Sequence, residues 1–269
     1  MGTIGFIGSG NMAEAIIKGI LAGRAAESGD ILISDVRPER LAELSARYDV
    51  GIAYDNLDLV TRSSVVFLAV KPQTITEVLE QARSAFSHDK LVISIAAGIR
   101  TAKITTIIGQ IPVIRVMPNT PVLVGEGVSV IYATAQAHGH LSTAVRLFSA
   151  VGFVTSVEDE SLMDAVTAVS GSGPAYFFML MEEMIKASVA VGLPPQMAHD
   201  LVLHTARGAA ILACEADKSG ESAAELRKKV TSPRGTTEAA MNIMINEGCG
   251  QIIIRAIKAA RDRSIELSA

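Results

Sequence analysis

Aromatic residues are scarce in this sequence, at 4% of 269 positions, and no basic block interrupts a chain whose net charge is −4. Nucleic-acid binding therefore lacks its electrostatic footprint, and no nucleic-acid partner is expected. Cysteine is nearly absent: Cys214 and Cys249 stand far apart, with no CxxC or metal-like spacing. They read as small buried hydrophobes, free thiols in a reducing compartment. His138 and His140 lie close together in a polar stretch, but no second ligand pair accompanies them, so no metal is expected. A long uncharged hydrophobic run is missing too. The most apolar stretch, Ala175 to Val191, carries Glu182, Glu183 and Lys186, which is too polar for a membrane span. Met1 to Phe6 reads as a strand without a cationic leader, so no signal peptide is expected and the expected location is cytoplasmic.

Apolar material is plentiful. It makes up 49% of the chain, and the mean hydropathy is +0.36. For a chain with no membrane segment, that excess points to apolar surface buried between subunits. The length suits one large domain or two modest ones.

The first half alternates strand and helix. Strands are expected at Thr3–Ile7, Ile31–Ile33, Val65–Val70, Leu91–Ile95 and Val113–Val116, with two more near Gly127–Tyr132 and Gly152–Ser156. Helices are expected at Asn11–Ala22, Pro38–Tyr48, Gln73–Phe86, Thr101–Ile108 and Gln136–Val151. Val65-Val-Phe-Leu-Ala-Val70 is continuously apolar, as a strand covered on both faces should be. Repeated strand–helix–strand units imply a doubly wound, mostly parallel, Rossmann-like sheet.

After about Val157 strand signals vanish. Helices are expected at Pro174–Val191, Pro195–Ala213, Ala223–Val230, Glu238–Asn246 and Gly250–Ile265. Asp217 to Ser222 reads as a loop. This gives an N-terminal domain over 1–157 and an all-helical one over 158–269. Ala165 to Met181 is almost without charge. A helix apolar all round is buried, and packing against the same half of a second subunit is expected.

Gly8-Ser9-Gly10-Asn11-Met12-Ala13 follows the first strand and opens the first helix. Gly8 permits a tight turn, Gly10 lets the backbone approach a pyrophosphate, and Ala13 lets helix pack on strand. The helix N-terminus then receives the anion. In that context the motif reads as a dinucleotide site. The second strand ends Ser34-Asp35-Val-Arg37. Asp35 suits the ribose hydroxyl of NAD(H) and Arg37 the 2′-phosphate of NADP(H), so the two signals conflict. Ala69-Val70-Lys71-Pro72 and Ser94-Ile-Ala96-Ala97-Gly98 end two further strands, where ligands bind in such sheets. Lys71 reads equally as a cofactor contact or an exposed loop lysine.

These residues resemble the pyrroline-5-carboxylate reductase family over nearly the whole chain. The resemblance runs through Phe6-Ile-Gly-Ser-Gly-Asn-Met12, Phe67-Leu-Ala-Val-Lys-Pro72, Ser94-Ile-Ala-Ala-Gly98, Met117-Pro-Asn-Thr-Pro121 and Asp164-Ala-Val-Thr. Ser170-Gly-Ser-Gly-Pro-Ala-Tyr176 and Thr231-Ser-Pro-Arg-Gly-Thr-Thr237 carry most of its specificity. It implies reduction of 1-pyrroline-5-carboxylate to L-proline with NADPH or NADH, the last step of proline synthesis. It also implies a helical dimerisation domain, active sites that use both chains, and a homodimer at least, five of which can form a decamer.

By the same resemblance, Ile7 to Met12 match the pyrophosphate loop, and Ser34 and Asn56 match adenosine-side contacts. Ala69 to Pro72, with Ala96 and Ala97, match the wall near ribose and nicotinamide. Glu160 matches a position near the substrate. Thr236 and Thr237 match the substrate clamp, with Thr237 the expected partner of the ring nitrogen. The chain departs from the family pattern at Arg234, where glycine is usual, and at Ser222-Ala223, where a His-Pro pair is frequent.

The chemistry suits such a segment. A cyclic imine is readily protonated and accepts hydride without a strong general acid, so the protein must mainly position and polarise. Thr231 to Thr237 precedes a helix, so its amides, Gly235 included, can receive a carboxylate. Ser232 and Thr236 read equally as helix caps. The rival reading, a β-hydroxyacid dehydrogenase, needs a catalytic Lys followed by Asn after the Gly-rich turn, and Gly171 to Ile185 holds neither. A related imine reductase and a cofactor-binding sensor without turnover remain alternatives.

Overall fold

The computed structural model describes residues 2–268. β1 (Ile4–Ile7) leads through α1 (Asn11–Ala22) to β2 (Ile31–Ser34), and α2 (Pro38–Tyr48) leads to the short β3 (Gly51–Ile52). Then α3 (Asn56–Arg62) precedes β4 (Val65–Leu68), α4 (Ile75–Gln81) precedes β5 (Leu91–Ser94), and α5 (Thr101–Ile108) precedes β6 (Val113–Met117). β7 (Gly127–Ala133), α6 (Leu141–Ser149) and β8 (Gly152–Ser156) complete an eight-stranded sheet of order β3-β2-β1-β4-β5-β6-β7-β8. Neighbours pair in parallel except β6 and β7. The expected Rossmann-like, mostly parallel, doubly wound sheet is present.

Every residue of β1, β2, β4 and β5 is buried. Both faces are covered, so these strands are continuously apolar rather than alternating. On one face Phe6 stacks on Phe67 at 4.4 Å between ring centroids, with Phe148 of α6 beside them. On the other, Ile7, Leu68 and Val92 pack with Ile104 of α5. Each such side chain contributes about 1.5–3 kcal/mol of burial. The strand order reverses between β1 and β4, which places a crevice beyond their carboxyl ends.

After β8 the chain is helical. α7 (Met163–Val166) runs into one π turn, Thr167–Gly171, and then α8 (Gly173–Ala190), α9 (Pro195–Asp217), α10 (Ala223–Lys229), α11 (Thr236–Asn246) and α12 (Cys249–Ser268) follow. Two compact units result. One holds the chain through Pro174 with the residues from Ala259 onward, and the other holds Ala175–Lys258. The second half of α12 thus belongs with the sheet.

Several expected elements differ. β3 and α3 went unforeseen, because a two-residue strand has no periodicity and α3 is short. Its start is set by the side chain of Asp55, which accepts from Asp58 N. The helix expected over 73–86 is α4 flanked by 3₁₀ turns at Pro72–Thr74 and Arg83–Ala85. The one expected from 136 opens as a 3₁₀ turn, Ala135–His140. α9 runs to Asp217, past its expected end, with the Glu215–Lys218 ion pair (2.7 Å) on its last turn. The apolar helix, expected to pack on a second subunit, is open in a single chain: Phe177, Phe178 and Met179 of α8 are 60–66% exposed.

Candidate active site

The β1–α1 turn is shaped by Gly8, at φ 93. Its amide donates to Ser34 O at 2.8 Å, and Ala69 N donates to Ile7 O at 2.9 Å. A Cβ at Gly8 would lie 2.7 Å from the Ala69 carbonyl oxygen. The loop after β1 is thereby pressed against the end of β4. Gly10 is different: its φ is −72, and a Cβ there would meet nothing within 4 Å. Nothing among the described residues requires glycine at that position. No side chain caps α1, so its first amides face outward for an anion. Ala13, 1% exposed, sits where the helix packs on the sheet. Asn11 is exposed and Met12 half-buried beside it.

Asp35 and Arg37 meet each other. Asp35 Oδ1 accepts from Arg37 N and Nε, both at 3.0 Å, while Oδ2 accepts from Ser9 N at 2.8 Å. Burial pushes the Asp35 carboxyl up. The Arg37 guanidinium and the amides of Ser9 and Arg37 outweigh that and hold it below its usual range. Next to this pair Ser34 Oγ donates to Asn56 Oδ1 at 2.6 Å, and Asn56 Nδ2 donates to Gln81 Oε1 at 2.8 Å. Ser34 and Asn56 are thus brought together.

Arg40 was not foreseen. Its Nε donates to Ser9 O at 2.8 Å, and Glu14 and Glu43 pair with its guanidinium. Glu14 also takes Arg47 and the Tyr48 hydroxyl. The available signal was the spacing of Arg40, Glu43 and Arg47, which puts them on one face of α2.

Ala69, Val70 and Pro72 are half-buried and Lys71 is exposed, just beyond β4. Ala96 is 4% exposed and Ala97 is open, beyond β5. Glu160 does not stand free. Oε1 accepts from Thr101 N at 2.8 Å and from Arg115 Nη1 at 3.2 Å, and Oε2 accepts from Thr101 Oγ1 at 2.7 Å.

The second cluster of expected residues lies in the helical unit. Ser222 forms a capping box with Glu225 at the start of α10. That gives the position a local purpose in this chain. Thr231 Oγ1 returns to Arg227 O at 2.6 Å. Arg234 takes the left-handed region at φ 58, where the family pattern has glycine, and its amide donates to Glu238 Oε2 at 2.7 Å. Gly235 allows Ser232 to close on it, since a Cβ there would collide with Ser232 Oγ. Gly235 is also the N-cap of α11, without a side-chain cap. Capping by Ser232 or Thr236 therefore does not occur. The hydroxyls of Thr236 and Thr237, in the first turn of α11, make no hydrogen bond among the described residues.

A Gly-rich turn at the switch point of a doubly wound sheet, with an uncapped helix behind it, defines a dinucleotide-binding protein. The family model "NADP oxidoreductase coenzyme F420-dependent" matches residues 3–98, and the model "Pyrroline-5-carboxylate reductase dimerisation" matches residues 160–267. A pyrroline-5-carboxylate reductase of Pseudomonas aeruginosa is 42% identical over 98% of this chain and 96% of its own. One of Haemophilus influenzae is 41% identical over 98% and 97%. A solved pyrroline-5-carboxylate reductase of Coxiella burnetii superposes with a TM-score of 0.93 at 35% identity, covering 100% of this chain and 99% of that one. The Plasmodium falciparum enzyme with NADP bound gives a TM-score of 0.87 at 26% identity, covering 99% and 98%. The chain belongs to the pyrroline-5-carboxylate reductase family. Its C-terminal part is a dimerisation domain, so the protein is a homo-oligomer. Among the described residues no helix is long and apolar enough to cross a membrane.

Proposed function

We propose that this chain, a reductase of 1-pyrroline-5-carboxylate to L-proline, holds the pyrophosphate of its cofactor at Ile7–Met12 and the imine at Ser232–Thr237. The observation that carries the cofactor half is Gly10, a glycine with neither strain nor a neighbour to justify it except an incoming ligand. The residues present fit an NADP(H) or NAD(H) dinucleotide: Ser34, Asp35, Arg37 and Asn56 at the adenosine side, Ala69–Pro72 with Ala96 and Ala97 along ribose and nicotinamide.

A nicotinamide cofactor held there would supply hydride for the imine carbon. Thr237 hydrogen-bonds the ring nitrogen and holds the C=N bond in line. The Gly235 amide is held by Ser232 O at 3.0 Å, so the Thr236 and Thr237 amides of the uncapped first turn of α11 receive the substrate carboxylate. Ser232 closes that turn. Glu160 keeps the place near the substrate that the family pattern gives it. The imine nitrogen takes its proton from water before the hydride arrives, so hydride addition to the iminium carbon leaves the secondary amine of proline.

The functional division follows the sequence at about 157/158, with dinucleotide binding before it and substrate and dimer contacts after it. The exposed apolar residues of α8 cover one another across a homodimer, five such dimers make a decamer, and the protein works in the cytoplasm. NADPH and NADH oxidation by the purified protein, with and without pyrroline-5-carboxylate, tests the reaction. Substrate-dependent oxidation that yields proline is expected. Cofactor binding without oxidation would move the assignment to another imine, or to a sensor.

A further inference from the structure

The nicotinamide wall, Ala96–Ala97, follows directly on β5. Ile95 N donates to Leu68 O at 3.1 Å, Ala96 N donates to Ser94 Oγ at 3.4 Å and Ala96 packs into the core, while Ala97 is open. The turn after the wall is gripped from elsewhere. Gly98, at φ 71, packs against the end of α12, where a Cβ would meet Leu267 Cβ and O at 3.4 Å. Arg100 Nη2 lies 3.6 Å from Asp164 Oδ2. Thr101 gives both its amide and its hydroxyl to Glu160. The turn 98–101 is therefore fixed at three of its four positions by residues at least 59 positions away in sequence.

Two of these anchors, Asp164 and Glu160, are themselves braced. Asp164, 3% exposed, accepts from Ser264 Oγ at 2.7 Å and Ser268 Oγ at 3.4 Å, both on the last turns of α12. Glu160 is the partner of Arg115, which is 2% exposed and whose Nη2 bonds to nothing among the described residues. Removing the carboxylate would leave that buried cation uncompensated, so Glu160 cannot leave the turn freely.

We infer that Glu160, Asp164 and Ser264 are positioning residues for hydride transfer, acting through the 98–101 turn to hold Ala96–Ala97 against the nicotinamide. This rests on the reading that Ala96 and Ala97 face that ring. The C-terminal helix thereby sets the geometry of the wall without touching cofactor or substrate. Small displacements of such a wall cost rate more than affinity.

The test uses the full-length oligomer with Glu160→Gln, Asp164→Asn and Ser264→Ala, the last removing one hydroxyl alone. At saturating cofactor and imine, kcat should fall about tenfold or more. Hydride transfer should become rate-limiting, read as a larger isotope effect with cofactor deuterated at the transferred position. Affinity for 2′-phospho-ADP-ribose, which lacks the nicotinamide, should stay within about twofold of wild type, well below the tenfold that 1.4 kcal/mol represents. Unchanged kcat in all three variants would overturn the proposal. So would fragment binding that falls in step with kcat, since that marks a fold-wide effect. If the wild type turns over no imine, the assigned reaction fails by itself. The fluorescence of bound NADPH still reports the wall then, and emission identical in wild type and variants overturns the proposal.

Discussion

Gly8 leans on Ala69: with φ at 93, the position where its Cβ would sit is 2.7 Å from the Ala69 carbonyl oxygen. Gly10, two residues on, has ordinary dihedrals and open space. The two glycines of one motif therefore serve different ends, and alanine separates them. Gly8→Ala should destabilise the fold by about 1–3 kcal/mol through backbone strain alone. Gly10→Ala should leave the melting temperature within a degree or two and still cost about tenfold or more in cofactor affinity, because the methyl stands where the pyrophosphate approaches. Thermal melts with cofactor titrations on both variants decide it. Equal destabilisation by the two would refute the division.

Thr237 sits half-buried in the first turn of α11 with its hydroxyl unspent. Thr237→Ala should lower kcat/KM for the imine about tenfold to a hundredfold, the range of one charge-assisted hydrogen bond, and leave cofactor affinity alone. Thr237→Ser should keep most of the activity. Steady-state kinetics with imine and cofactor varied separately provide the check, and an alanine variant with wild-type kcat/KM ends the assignment.

The sheet was legible because strands covered on both faces must be continuously apolar, and Val65-Val-Phe-Leu is that pattern undiluted. The Gly8–Ala13 turn was legible because backbone geometry demands its residue types. The helix start at Gly235 was not, because Ser232 and Thr236 are both favoured caps and neither caps. Nor was the purpose of Glu160: its partners Thr101 and Arg115 lie 59 and 45 residues away, and no spacing announces contacts made by tertiary packing. The apolar face of α8 was legible as a surface for a second copy, and it is open in a single chain.

Asp35 and Arg37 pull opposite ways in sequence but in space the acid is consumed. Its oxygens take Ser9 N, Arg37 N and the Arg37 guanidinium, and its side chain is 8% exposed against 52% for Arg37. Arg37→Ala should therefore raise KM for NADPH about tenfold, the worth of one charged contact to a phosphate, and leave KM for NADH nearly unchanged. Asp35→Asn should weaken both cofactors alike by loosening the loop at Ser9. A loss confined to NADH in Asp35→Asn would show instead that the carboxylate reads the ribose.

Glu14 ties the loop to the acid side of the pH scale. Burial pushes its carboxyl up, but hydrogen bonds from Arg40, Tyr48 and Arg47 outweigh that and hold it below its ordinary value of 4.5. A carboxyl depressed in the folded state contributes stability that is present above its unfolded value. That contribution is lost as pH falls through the folded value. The side chain is 17% exposed, and Arg40, its partner, also donates Nε to Ser9 O at 2.8 Å. Glu14→Gln should thus be less stable than wild type by about 1–3 kcal/mol at pH 7, the range for a hydrogen-bonded charge that is largely shielded from solvent. It should also bind cofactor less tightly, since Arg40 is no longer held at the pyrophosphate loop. As pH falls below 4.5 the stability gap should narrow, and it closes once pH has passed the lowered folded value and the wild-type carboxyl is protonated as well. Urea unfolding of both proteins at about pH 7 and in steps downward from pH 4.5 tests this. A gap that stays constant across that range would mean that Glu14 acts through packing and not through its charge.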